Sequence, residues 1–424
     1  MMVDSRHESI CISEAVINAF SRPHAEIDII VPDTKPDIAK VLQVDAHAVI
    51  TSKECAANSV LTEGKINLNI LYIGENNKMN NIRHVYNFKD TLAAESTTPD
   101  MNVGLECDIE NIEYEVINSR KMSIRTITAI DARIVSPFEI HALTGVSGAG
   151  CEKLFKSIKP YHAVMRLDER IMLKERLEVP AGKPGIASVL KFDANIGSTQ
   201  VKTATNKIVI KGTLNIVTLF VGDMDENAIQ FMEHEMPFTE VIDVDGADEQ
   251  MAADIDLTVC DITYQTEDDD DGDCRVLIAE ADIFVSGKII RQQQLEILED
   301  IYSTDLNLCV AKDTAMLDKI AFDTKTQLTV NDIASIPADL PEIIQVYNII
   351  AKPYLTTARV EGGKVIIEGI IDTYILYLSD DIGYPIYTYK HESNFIQHID
   401  ASDADNNALC DVKIGVEHVS YNIG

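Results

Sequence analysis

The sequence predicts an all-β protein, mainly strand with short helical turns, arranged as three tandem sandwich-like units of which the third is incomplete. Three observations carry that expectation. Apolar residues alternate over long stretches, turn-forming residues separate those stretches at regular intervals, and one block of sequence occurs three times.

The block opens as Val31-Pro-Asp-Thr-Lys-Pro-Asp-Ile-Ala-Lys-Val-Leu-Gln-Val-Asp-Ala46. It returns as Val179-Pro-Ala-Gly-Lys-Pro-Gly-Ile-Ala-Ser-Val-Leu-Lys-Phe-Asp-Ala194, and more loosely as Ile336-Pro-Ala-Asp-Leu-Pro-Glu-Ile-Ile-Gln-Val-Tyr-Asn-Ile-Ile-Ala351. The offsets, 148 from Pro32 to Pro180 and 157 from Pro180 to Pro337, also carry Gly64 onto Gly212 and Gly369, and Tyr72 onto Phe220 and Tyr377. The block runs without gaps through 32–75, 180–223 and 337–380.

Two prolines four apart fix φ twice in each copy: Pro32 and Pro36, Pro180 and Pro184, Pro337 and Pro341. The second proline suits the first turn of a helix. Ile38, Val41 and Leu42 then stand at i, i+3 and i+4, which predicts a short buried helical turn. Ile186, Val189 and Leu190 repeat that spacing, as do Ile343, Val346 and Tyr347. Lys35 and Lys183 occupy matching places between the prolines, where the third copy has Leu340.

A long strand follows, with Ile208, Ile210, Leu214, Ile216 and Phe220 on one face and Gly212 in the same phase. A glycine at one fixed point of an apolar face predicts a bend or a close backbone approach. Turn-like stretches come next, then an aromatic (Phe88, Phe238, Phe395) opens a further segment, and later strands end near Tyr114, Tyr264 and Tyr421.

Copies one and two continue into another strand, Lys121–Val135 and Cys274–Ile290, and the third reaches Gly424 before any such strand. Either the third unit is completed differently or the sequence is a piece of a longer protein, and the second reading is preferred. The small-residue stretch Leu143–Gly150 reads as a linker. The units are accordingly expected at 1–143, 144–292 and 293–424.

With 69 acidic against 36 basic residues the chain carries a formal charge of −33, which repels polyanions and argues against nucleic acid and anionic membranes as partners. No run of about 18 apolar residues encodes a spanning helix, and Met1–Phe20 lacks the apolar core of a secretion signal. The eight cysteines are far apart, with no CxxC pair, and read as reduced thiols.

Motifs that carry chemistry are nearly absent. Gly145 and Gly150 have phosphate-loop spacing, but Cys151 and Glu152 stand where lysine and a hydroxyl residue are required. Glu267, Asp269 and Asp271 would occupy calcium-loop positions around Gly272, yet Ile278 falls where a bidentate glutamate is needed, so the acidic run reads as a hairpin turn. The histidines form no metal-binding pair, and His391 and His398 read as ordinary surface or packing residues. The residues that recur in all three copies are prolines, glycines, β-branched residues and an aromatic, and no recurring position supplies a nucleophile or general base. No catalytic residue, metal site or cofactor is expected.

At Glu26–Ala46, with Pro32-Asp-Thr-Lys-Pro-Asp-Ile38 and the later Ile70-Leu-Tyr72, the sequence resembles the SPOCS-domain family, which includes SipL-like spore-coat morphogenesis proteins. The second copy departs at Gly185 and the third at Leu340. The resemblance implies a non-enzymatic structural or interaction protein that helps assemble the spore envelope. It implies coat or basement-layer proteins as partners and a place in the mother-cell cytoplasm at the forespore surface. Such proteins usually end in a LysM domain, and no LysM-like segment is visible. The alternative reading is a module that binds cell-wall glycan or metal on loops such as 222–229 and 266–273.

Overall fold

The computed structural model describes residues 4–424 apart from 148–150, 225–228, 293, 305–307, 313, 315–320, 380 and 382–385. Among the described residues the chain is strand, turn and extended segment, without a helix.

The first copy contains β1 (Asp4–Ser21), β2 (His24–Ile30), β3 (Ile38–Ala56), β4 (Ser59–Gly74), β5 (Met79–Ala93), β6 (Asn102–Asn118) and β7 (Lys121–Ser147). Strands β3, β4 and β5 form an antiparallel meander. In the facing sheet β7 is central, with β6 along one side and β2 followed by β1 along the other. Ile27 and Ile29 from β2, Ile66, Leu68 and Ile70 from β4, and Met122 and Ile124 from β7 close the core between the sheets. Alternation on each strand supplies one apolar row, and two such rows facing each other make a sandwich.

The second copy repeats the plan with β8 (Cys151–Ile158), β9 (Tyr161–Glu178), β10 (Ile186–Ala204), β11 (Lys207–Gly222), β12 (Ile229–Asp243), β13 (Ala252–Asp268), β14 (Cys274–Gln292) and β15 (Leu295–Ser303). Its meander is β10-β11-β12, its second sheet is β13-β14-β9, and β8 and β15 form a separate two-stranded ribbon. The third copy has the meander alone: β16 (Ile343–Glu361), β17 (Lys364–Ser379) and β18 (Ile386–Asp400). The described parts of 308–342 and 401–424 carry no strand.

The predicted helical turn is absent: Ile38, Val41 and Leu42 lie in β3. Bulges between Ile38 and Lys40, Val41 and Gln43, and Ile50 and Ser52 each add one residue to β3, and β10 and β16 are interrupted at the matching places. An extra residue resets the side-chain phase, so Ile38 and Val41 face the same sandwich core while Leu42 faces away from it. A doubly bulged strand thus imitates helical spacing. The predicted linker is also partly strand: Leu143–Ser147 belongs to β7, paired with the start of β1.

The recurring glycine has a partner that spacing alone did not reveal. Gly64 pairs with Phe88, Gly212 with Phe238 and Gly369 with Phe395 on the third strand of each meander. A Cβ at these glycines would lie 2.3, 2.7 and 2.4 Å from the phenyl ring, and as close as 2.7, 3.2 and 2.4 Å to the backbone oxygens of Val49, Ser198 and Tyr354 on the bulged strand. Glycine lets the sheet bend sharply at the third bulge, and the ring covers the exposed backbone.

The three copies meet at one shared apolar hub. Leu42, Leu190 and Tyr347 enter it from equivalent positions, as do Leu71, Leu219 and Leu376, and also Met79, Ile229 and Ile386. The approach is cyclic: β5 lies against β10, β12 against β16, and β18 against β3. Thr388 donates to the Leu42 carbonyl at 3.0 Å, and the Lys40 ammonium sits 4.0 Å from the Tyr387 ring centre, tying the third copy back to the first.

Truncation of a hub leucine or of a glycine-covering ring is predicted to be severe. Leu219→Ala and Phe238→Ala should each cost about 3–5 kcal/mol in denaturant unfolding. The hub variant should in addition raise protease sensitivity between copies, whereas the ring variant should not.

Candidate functional site

Each proline pair frames a tight turn. Lys35 N donates to Pro32 O, Lys183 N to Pro180 O and Leu340 N to Pro337 O, at 2.9, 3.2 and 2.9 Å. In the first two copies an arginine at the head of the central strand clamps this loop. Arg120 binds Asp37 at 2.7 Å, Asp33 at 2.9 Å and the Val31 carbonyl at 3.0 Å. Arg275 donates to the carbonyls of Lys183 at 2.6 Å and of Val179 and Pro180 at 3.2 Å. One planar guanidinium can satisfy several divergent acceptors, which suits it to holding a turn.

The motif lysines work inward. Lys35 Nζ binds the backbone carbonyl and, at 2.7 Å, the side-chain oxygen of Asn81 on β5, and Lys183 Nζ binds the Phe231 carbonyl on β12. Burial, aided by the charge of Arg83, lowers the Lys35 pKa. The Tyr72 hydroxyl donates to the Pro36 carbonyl at 2.9 Å and Tyr377 to Pro341 at 3.1 Å. Burial pushes the Tyr72 phenol up to about 12, so it remains a donor. Phe220 fills the same space in the second copy, fully buried and without the hydrogen bond. Pro36, Pro184 and Pro341 thus lead into strands, and their loops are held by Arg120, Arg275, Tyr72 and Tyr377.

Beside the hub, three equivalent positions are polar and buried: Gln43, Lys191 and Asn348. Lys191, 1% exposed, reaches Asp45 of the first copy at 2.5 Å and Asp193 at 3.2 Å, and Gln43 donates to the same Asp45 at 2.9 Å. Burial disfavours the Lys191 charge, but the two carboxylates outweigh it and its pKa is raised.

A family model described as the SipL SPOCS domain matches three times, over residues 37–117, 185–267 and 342–424. The chain belongs to the SPOCS-domain family. No curated protein and no solved structure matched. Each match spans a meander and the segment after it, so the SPOCS repeat is a bent three-stranded sheet with a following arm. Family membership makes this a sporulation-related protein.

Gly145 lies in β7 and Gly150 is outside the described residues. The acidic run of the second SPOCS repeat is the β13–β14 hairpin turn. Asp269 Oδ1 accepts from the amides of Asp271 and Asp273, both at 3.0 Å, and Gly272 has φ +86°. In loop 222–229, residues 225–228 are outside the described residues. Among the described residues no group of three His, Cys, Asp or Glu side chains is placed to hold a metal. Burial pushes the Cys107 thiol up to about 12, which removes its nucleophilic character at neutral pH.

One recurring ionisable residue escaped the sequence comparison. His84, His234 and His391 occupy the same register, opposite Leu68, Ile216 and Thr373. The turn before them is two residues shorter in the first copy than in the second and third, so the constant offset misses His84, and strand pairing restores the match. His234 bonds the Glu178 carbonyl at 2.9 Å and His391 the Asp332 carboxylate at 2.9 Å, so both tie the meander to the facing layer. Hydrogen bonds from Ser393 and then His391 hold Asp332 at a pKa of about 2.

Two outcomes are expected. Asp37 has its pKa lowered, first by the Arg120 hydrogen bond and then by Ser119. A depressed carboxylate stabilises the folded state above its unfolded pKa and loses that contribution as pH falls through the folded value. Acidification from about pH 5 to pH 2 should therefore weaken protection of the Lys35 amide. The Lys183 amide should keep more of its protection, because Arg275 holds that loop through carbonyl oxygens and meets a carboxylate, Asp269, at 3.7 Å outside it, as NMR hydrogen exchange would show. In the buried pair, Asp45→Ala should cost about 3 kcal/mol by leaving Lys191 under-compensated, whereas Lys191→Met should be near neutral in chemical denaturation.

Proposed function

We propose that this protein is a non-enzymatic structural and interaction component of the spore envelope. It acts in the mother-cell cytoplasm at the forespore surface and binds coat or basement-layer proteins. One observation carries the reading: the recurring polar side chains whose contacts are described bind other parts of the same chain. Lys35 and Lys183, Tyr72 and Tyr377, and His234 and His391 each bond a loop, strand or facing layer of their own repeat. Selection that multiplies bracing contacts is expected of a scaffold.

The charge of −33 favours basic partner surfaces and speeds encounter with them. The β13 and β18 strands lie at sheet edges, where main-chain groups can pair with an added strand.

A fluorescent fusion produced during sporulation of the source organism should gather at the forespore surface. Deletion should detach or misplace the outer envelope layers in thin-section electron microscopy. A diffuse signal together with an intact envelope would refute the proposal, and turnover in a hydrolase screen abolished by one point substitution would refute its non-enzymatic half.

A further inference from the structure

The outer face of the first meander changes character along β4. At every second residue it runs from Leu71, in the hub, through Asn69 and Asn67 to Lys65. Repeat two lies over the polar part. Asn67 donates to the Cys260 carbonyl of β13 at 3.3 Å, and His47 beside it donates to the Val259 carbonyl at 3.1 Å. Lys65 meets Asp261 at 3.2 Å and Lys53 meets Asp168 at 2.9 Å. Asn69 stands between Asp45 and Arg83, which reach Lys191 and the Phe192 carbonyl of repeat two.

Polar groups along this seam are nonetheless poorly matched. Asn67 Oδ1 and both amide atoms of Asn69 are buried without a hydrogen-bond partner, and so is Asp282 Oδ1 on the facing sheet. Asp282 pairs across strands with Asp261, the partner of Lys65, so it belongs to the same seam. These are four of the nine such atoms among the described residues, gathered where two repeats meet. Each regains its hydrogen bonds in water, so separating the two faces removes a penalty that closure imposes. The hub behaves in the opposite way, because Leu42, Leu71, Leu190 and Leu219 lose by exposure. Polar joints between units of one chain come apart and re-form, whereas apolar ones stay closed.

We infer that the joint between repeats one and two is an openable seam, hinged at the hub, that uncovers the outer face of the first meander. Closed, it is held by Lys53–Asp168, Lys65–Asp261 and the two side chain-to-carbonyl bonds. Salt screens the charged pairs and shifts the balance towards the open form, while the hub carries no charge to screen. Opening frees Lys53, Lys65 and Arg83 together, a basic strip on an otherwise acidic chain, and leaves Asp168, Asp261 and Asp282 on the other side.

Two cysteines report the motion. Cys260, 1% exposed, carries its thiol near Asp282 and Lys65 at the seam, whereas Cys55, 6% exposed, lies in the sandwich core of repeat one. The full 424-residue chain is treated with iodoacetamide under native conditions, and alkylation of each cysteine is followed by peptide mass spectrometry. Cys260 should react well before Cys55, and faster still in about 1 M sodium chloride. Asn69→Leu removes two of the orphaned atoms and should slow Cys260 about tenfold. Lys65→Gln removes one charged pair and should speed it about threefold. Neither substitution should change Cys55, whose rate separates opening from general unfolding in each variant. Equal rates at the two cysteines, a Cys260 rate indifferent to salt, or an Asn69→Leu chain that reacts as fast as the parent with Cys55 unchanged would each overturn the proposal.

Discussion

The arrangement depends on one short stretch being buried on both faces. In Ile70-Leu71-Tyr72, Ile70 and Tyr72 enter the sandwich core of their own repeat while Leu71 enters the hub shared by all three. The corresponding Leu219 and Leu376 do the same from the other copies. A strand buried on both faces must be apolar throughout, so the alternation that marks the rest of β4 stops there. The hub therefore constrains the same residues that close each sandwich, and the copies cannot be repacked independently.

Bulges and the glycine–phenylalanine pair supply the bend that this double burial requires. Without extra residues in β3, β10 and β16, Leu42, Leu190 and Tyr347 would share a face with the sandwich core and could not reach the hub. The proline loops fix where each bulged strand begins. Arginines 120 and 275 connect that beginning to the central strand, so loop, bend and facing sheet act as one mechanical unit. Ile336-Pro337-Ala338-Asp339-Leu340-Pro341 keeps the same turn in the third copy, with the Tyr377 hydroxyl bonded to Pro341.

Polar side chains serve the same end. Lys191 crosses from the second copy to Asp45 of the first, next to a hub that offers no directional contact of its own. A buried ion pair of this kind adds little net stability but penalises a wrong mutual setting of the copies, because a shift would strand the charge in apolar surroundings. With −33 net charge spread over the surface, such internal registration matters: general repulsion opposes a compact three-unit assembly, and the hub and the Lys191–Asp45 pair oppose that repulsion.

The sequence by itself determined the all-β class, the three copies and the glycine and proline positions, because backbone restrictions and period-2 alternation are local properties written at constant offsets. It misread Ile38, Val41 and Leu42 as a helical turn, since a bulge and a helix leave the same spacing. It also missed the recurring His84, His234 and His391, because a shorter turn moved the first copy out of step with the other two. The tertiary structure alone decided which faces meet. Pairing across strands set Phe88 on Gly64, and the outer faces gathered Leu71, Leu219 and Leu376 into one hub. These are contacts between residues far apart in the chain, fixed by long-range pairing that no local pattern encodes.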